Sequence, residues 1–165
     1  MIFEKRENEG MAGDVRPPMM DGLRLAEEWG ALVKGEVDEV ARMATFTALV
    51  YQSDARVSFA GFYRLEDDGS LVIGPYQGPI GCLRIAPGRG VCGRVAEHGD
   101  AVIVPDVNQY PGHIACDPRA RSEMVLPVRK RDGRLVAVFD VDSASAAAFS
   151  EADVKVLGPL LDPFG

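Results

Sequence analysis

The 165-residue sequence has no apolar run of 18 residues, so no membrane-spanning helix is expected. It opens on "MIFEKRENEGMAGDVRPP", which lacks the apolar stretch of a secretory signal. A polar leader over residues 1–20, a single folded domain over 21–165 and a cytoplasmic location are the expectations. There is no internal repeat and no long low-complexity segment. Positive charge is short: 18 basic residues face 25 acidic ones, a net charge of −7, which argues against nucleic acid or an anionic membrane as partner. The basic cluster "RKRDGR" (129–134) encloses Asp132-Gly133 and reads as a solvated hairpin tip. Cysteine is scarce. Three are present, an odd count, with nine residues between Cys82 and Cys92 and 23 between Cys92 and Cys116. No C-x-x-C pair results, which speaks against a zinc ligand set, and a reducing compartment speaks against a structural disulfide framework. "GRGVCG" is followed by no Lys-Ser/Thr, so it is a poor phosphate loop.

What is present is an ordinary soluble composition, 47% apolar and 26% charged. A chain of this length can bury roughly 68–70% of its unfolded surface. Residues 21–34 place Leu25, Trp29, Leu32 and Val33 on one helical face. Residues 36–51 repeat the period through Val37, Val40, Ala41, Ala44 and Ala48, with Met43, Phe46 and Val50 widening the apolar face. The character then changes. "VSFAGFYRL" and "LVIGPYQ" flank "EDDGS", a hairpin signal. A strand-like run near Cys82, a glycine-rich helix over 90–98 and a short strand over 101–104 follow. "EMVLPVRK" and "RLVAVFDVD" pair across Asp132-Gly133. "ASAAAF" (144–149) reads as a loop. Ser150 and Asp153 form a capping-box pattern ahead of a last helix, which Gly158-Pro159 is expected to interrupt. The class that follows is α+β: a central antiparallel sheet of about five or six strands with helices packed on one face.

The loop 105–121 is longer than most ordered connections, and such loops are usually functional. It sets Cys116 between His113 on one side and Asp117 and Glu123 on the other. Alone, each feature has a plain explanation. A lone cytosolic cysteine is usually a small buried hydrophobe. Asp140 and Asp142, two apart, share one strand face and on pattern alone would face water. His113 suits a loop hydrogen bond. Trp29 and Phe62 suit the core.

Taken together, "GFYRLEDDGSLVIGPYQGPIGCLRIAPGRGVCG", "DVNQYPGHIACDPRARSEMVLP" and "VFDVDS" resemble the free methionine-(R)-sulfoxide reductases, small enzymes on the GAF fold. The resemblance spans about residues 35–157. It implies a GAF-like catalytic domain that reduces free L-methionine-(R)-sulfoxide. Cys82, Cys92 and Cys116 stand where the family has cysteines. Glu123, Asp140 and Asp142 match its binding-site carboxylates, and Tyr63 matches a pocket aromatic. Phe59 stands where the family usually has Trp, and "DPRAR" after Cys116 replaces smaller, uncharged residues.

Sulfoxide reduction by thiols needs a thiolate to attack sulfur, an acid for the leaving oxygen and a second thiol to condense with the sulfenic acid. The resulting disulfide is then reduced by an external dithiol. We assign Cys116, on the long loop, as the attacker and Cys82 as the resolver. Cys92 is the rival nucleophile or a second resolver, since a helix N-terminus would favour its thiolate. Asp142 and Glu123 are assigned to the sulfoxide end and Asp140 to the substrate ammonium, with the swap left open. Phe59 and Tyr63 would wall the apolar side. No bound cofactor or metal is expected. Thioredoxin, kept reduced by NADPH and thioredoxin reductase, is the expected reductant, and a homodimer is left open. The alternative is a non-catalytic GAF ligand-binding or redox-sensing module. Such a sensor is normally joined to an output domain, for which 165 residues leave no room, and it needs no resolving thiol.

Overall fold

The computed structural model describes residues 21–162 and 164, so the leader expected over 1–20 lies outside the described residues. Helices α1 (Gly22–Leu32) and α2 (Glu39–Ser53) lead into strands β1 (Phe59–Leu65), β2 (Leu71–Gln77) and β3 (Arg84–Ile85). Helix α3 (Gly90–His98), strand β4 (Val102–Val104), a 3-10 turn at Val107–Gln109, strands β5 (Ser122–Arg129) and β6 (Leu135–Ser143) and helix α4 (Glu151–Leu161) complete the chain. The six strands form one antiparallel sheet in the order β3-β2-β1-β6-β5-β4. β1 and β6 are therefore central. Both expected hairpins form: Gly69 and Gly133 take the positive φ, 82° at each, that their turns demand.

Strand alternation sorts side chains onto two faces. Ala60, Phe62, Met124, Leu126, Val128, Ala137, Phe139 and Val141 turn to one face and meet Leu25 and Trp29 of α1, Met43, Phe46 and Val50 of α2, and Leu157 and Leu161 of α4. Trp29 is packing, its ring 4.9 Å edge-on from Phe46. Tyr63, Leu71, Val125 and Val138 turn the other way, against Val91, Cys92 and Val95 of α3 and Val107 of the long loop. The α+β sheet is as expected. Three helices share one face, and α3 with the long loop covers the opposite one.

Two helical readings need correction. Val37, ahead of α2, and Val40, in its first turn, are 88% and 60% exposed, whereas Met43, Phe46, Thr47, Leu49 and Val50 are buried. Two stripes of this helix carry a 3.6 period, and the one with larger side chains gains more from burial. Asp38 also caps the helix, its carboxylate accepting from Ala41 N–H at 2.8 Å, which leaves Val37 outside it. Leu32, at the frayed end of α1, is exposed as well. The last helix runs through Gly158-Pro159 to Leu161. Pro159 falls in the final turn, where it forfeits its own bond to the Lys155 carbonyl and only two helical residues follow. Asp153 there accepts from Ser150 N–H at 2.8 Å and also holds Arg56 at 2.7 Å, which bridges to the buried Asp54.

Candidate active site

β5 and β6 bring the carboxylates together by register. Glu123 pairs directly with Asp142, and Val125 with Asp140. All three acids point to the α3 face, and all are buried at 5–9% exposure. The water-facing alternative for "FDVDS" is thereby removed. On the other side of β6, Gly61 opposes Asp140. A Cβ at Gly61 would sit 2.6 Å from Tyr76 Cβ and 3.0 Å from the Phe59 ring, so only glycine lets these aromatics close the wall. Phe59 stacks on Tyr76 at 5.7 Å.

The long loop and α3 form the roof. Gly90 opens α3 with φ +64°, and a Cβ there would press within 3.2 Å of Ile114. The pocket beneath is lined by Tyr63, Cys92, Cys116, Glu123, Asp140 and Asp142, with His113 and Asp117 from the loop. Phe59 lies off this wall. It lines a neighbouring lobe that shares Tyr63, Cys116, Asp140 and Asp142. Cys116 and Cys82 form a disulfide, with Cα atoms 5.3 Å apart. These are the two cysteines assigned from their placement as attacker and resolver. The Tyr63 hydroxyl accepts a hydrogen bond from the Cys82 backbone, which ties the second half of the disulfide to the pocket wall.

The electrostatics are set by crowding of like charge in a dry place. Burial, then Asp142 and Glu123, push the Asp140 carboxyl well above the usual carboxylate range. Burial, Glu123 and Asp117 do the same to Asp142. Burial also raises Cys92, helped by Asp140, Glu123 and Asp142, and its thiol hydrogen-bonds to Asp140. Cys92 does sit in the first turn of α3, but desolvation and three carboxylates outweigh the helix dipole there, so the expected thiolate is disfavoured. Asp117 behaves differently: Arg119 hydrogen-bonds it at 3.1 Å, outweighs its burial and holds it below the ordinary range. Tyr63 is raised by burial and by Asp140.

Two features were missed in the sequence. His113 Nε2 lies 3.2 Å from Glu123 Oε2, a loop-to-strand contact that no local spacing announces. Asp140 Oδ1 is buried and meets no hydrogen-bond donor among the described residues. A buried acceptor without a donor is costly unless a ligand supplies one.

Comparison with known proteins agrees with this geometry. The GAF domain family matches residues 35–165. Protein YtsP of Bacillus subtilis is 46% identical over 134 residues, 81% of this chain and 82% of that protein. The free methionine-R-sulfoxide reductase of Escherichia coli is 40% identical over 137 residues, 83% of this chain and 82% of that enzyme. Among solved structures, the free methionine-R-sulfoxide reductase of Neisseria meningitidis, in complex with its substrate, superposes with a TM-score of 0.81 at 38% identity, covering 86% of this chain and 84% of that one. With coverage this full and identity this high, the chain belongs to the GAF domain family and, within it, to the free methionine-R-sulfoxide reductases.

Proposed function

We propose that the protein reduces free L-methionine-(R)-sulfoxide to L-methionine with its own thiols. The observation that carries this is the Cys82–Cys116 disulfide beside a pocket floored by three buried carboxylates, to which Cys116 itself contributes a wall. The substrate ammonium supplies the donor that Asp140 Oδ1 lacks. Its carboxylate faces the N-terminus of α3, where Gly90 and Val91 border the pocket. Tyr63, with Phe59 in the adjoining lobe, receives the methyl-sulfur end.

In the reduced protein, the Cys116 thiolate attacks the sulfoxide sulfur. Asp142, kept protonated by burial and by Glu123, donates its proton to the sulfoxide oxygen. The oxygen passes to Cys116 as a sulfenic acid, and methionine leaves with both electrons of the sulfur. Cys82 then condenses with the sulfenic acid, releasing water and forming the disulfide. A dithiol protein of the thioredoxin type restores both thiols by exchange, its electrons coming from NADPH through thioredoxin reductase. The raised Cys92 thiol supports giving attack to Cys116 and leaving Cys92 as a reserve resolver. The residues from 21 onward act as one catalytic unit in the cytoplasm.

The test is NADPH consumption with thioredoxin and thioredoxin reductase. Free (R)-sulfoxide is expected to be turned over, while the (S) form and the N-acetylated (R) form are expected to be poor. Acetylation removes the charge that the carboxylates hold, so equal rates on free and N-acetylated (R)-sulfoxide refute the proposal.

A further inference from the structure

Cys92 is the cysteine left outside the disulfide, and it is buried. Its sulfur, one carboxylate oxygen of Glu123 and one of Asp140 all lie within 4.8 Å of one another. The three side chains converge from α3, β5 and β6 and are 4%, 5% and 6% exposed. Surface acids often cluster by chance; here the donors are dry and come from three separate elements. A second observation points to a ligand. Asp140 Oδ1 is buried among these groups with no donor. The Cys92 thiol meanwhile spends its proton on the Asp140 carboxyl.

Zinc holds thiolate sulfur at about 2.3 Å and carboxylate oxygen at about 2.0–2.2 Å in a tetrahedron, which sets neighbouring donors about 3.3–3.6 Å apart. The triad, with its donors within 4.8 Å of one another, meets that by closing through at most about 1.5 Å. We infer that Cys92, Glu123 and Asp140 form a binding site for a thiophilic divalent ion of the Zn²⁺ class, with the fourth position left to water in the pocket. As the metal–sulfur bond forms, the thiol proton leaves to solvent. Magnesium and calcium are excluded, because they need six or more oxygen donors and do not favour sulfur. C-x-x-C spacing could not reveal this site, since its ligands meet only across the sheet. The ion would occupy the two carboxylates that the proposed function gives to the substrate ammonium, so ion and substrate exclude each other. That consequence rests on the proposed function; the site itself does not.

The test uses the protein with its Cys82–Cys116 disulfide closed, so that Cys92 is the one thiol. Co²⁺ is titrated anaerobically and the near-ultraviolet thiolate-to-cobalt charge-transfer band is recorded. Saturation at one Co²⁺ per chain and displacement by equimolar Zn²⁺ are expected. Cys92→Ala should lose the band. Asp140→Asn and Glu123→Gln should each weaken binding by more than the roughly 10–100-fold that loss of an outer-sphere partner costs. Near-ultraviolet circular dichroism identifies any variant that has not folded, in which case the other carboxylate variant decides. Absence of a saturable band, or an unchanged titration in the folded carboxylate variants, overturns the site. Free methionine-(R)-sulfoxide is expected to release the cobalt. A band that persists against saturating sulfoxide confirms the metal site and counts instead against placing the ammonium on Asp140.

Discussion

At the scale of single residues, the site is organised by what burial does to acids. A carboxylate in water is ionised at neutral pH; Asp140 is pushed upward first by desolvation and then by Asp142 and Glu123, and Asp142 by desolvation, Glu123 and Asp117. The charge state belongs to the cluster and not to one member, because the groups titrate together. Glu123, Asp140, Asp142, Cys92, His113 and Tyr63 all face it. The consequence for pH has a definite sign. A raised carboxyl keeps its proton to higher pH than an ordinary one and loses it as pH rises further, so the methionine-forming step should slow on the alkaline side. Asp142→Asn keeps the shape and removes the donor. General acid help is worth about 10²–10⁴-fold, so single-turnover methionine formation in this variant should fall by that order and lose its alkaline limb. An unchanged single-turnover rate would remove Asp142 from the role of acid.

At the scale of elements, the placement of these residues comes from strand register. The β5–β6 hairpin is announced by Asp132-Gly133 between two alternating runs, and its ladder, shifted in register once between Val128 and Arg129, pairs Glu123 with Asp142. Alternation alone sets Asp140 and Asp142 on one face; it is the resemblance, not the pattern, that implies a pocket there with Glu123. The cover over them was less legible. His113 reaches Glu123 through a loop whose path depends on Gly90, Ile114 and the disulfide, none of which is a local pattern. The buried stripe of α2 was misread because two faces of that helix share the helical period and only side-chain volume separates them. Arg56 belongs to this scale too. It links Asp54, after α2, with Asp153 of α4 and donates to Ala148 C=O at 2.7 Å. Breaking a buried ion pair costs about 3–5 kcal/mol, and the 22% exposure of Arg56 puts its removal at the low end. Arg56→Ala should therefore lower stability by roughly 3 kcal/mol in chemical denaturation. A loss below about 1 kcal/mol, the range of surface pairs, would show the link to be incidental.

At the scale of the whole molecule, the sheet is a rigid floor and the loop 105–121 is a roof fastened by Cys82–Cys116. The two cysteines are 34 residues apart in sequence. Closing a loop of that length restricts the unfolded chain by roughly 4 kcal/mol on the chain-entropy account. Reduction should lower Tm by about 10 °C, given about 2–4 °C per kcal/mol for a chain of this size. Calorimetry of oxidised and reduced protein checks this, and a Tm that does not move would mean that the loop is held by other contacts. The central claim, however, is that the same two thiols carry the electrons. It is tested most directly by mixing reduced protein with free methionine-(R)-sulfoxide, with no external reductant, and counting products per chain. The account predicts one methionine and the loss of two thiols, recovered as the Cys82–Cys116 disulfide. It predicts a methionine burst without that disulfide from Cys82→Ser, a burst from Cys92→Ser, and no methionine from Cys116→Ser. A full burst from Cys116→Ser together with none from Cys92→Ser would contradict it.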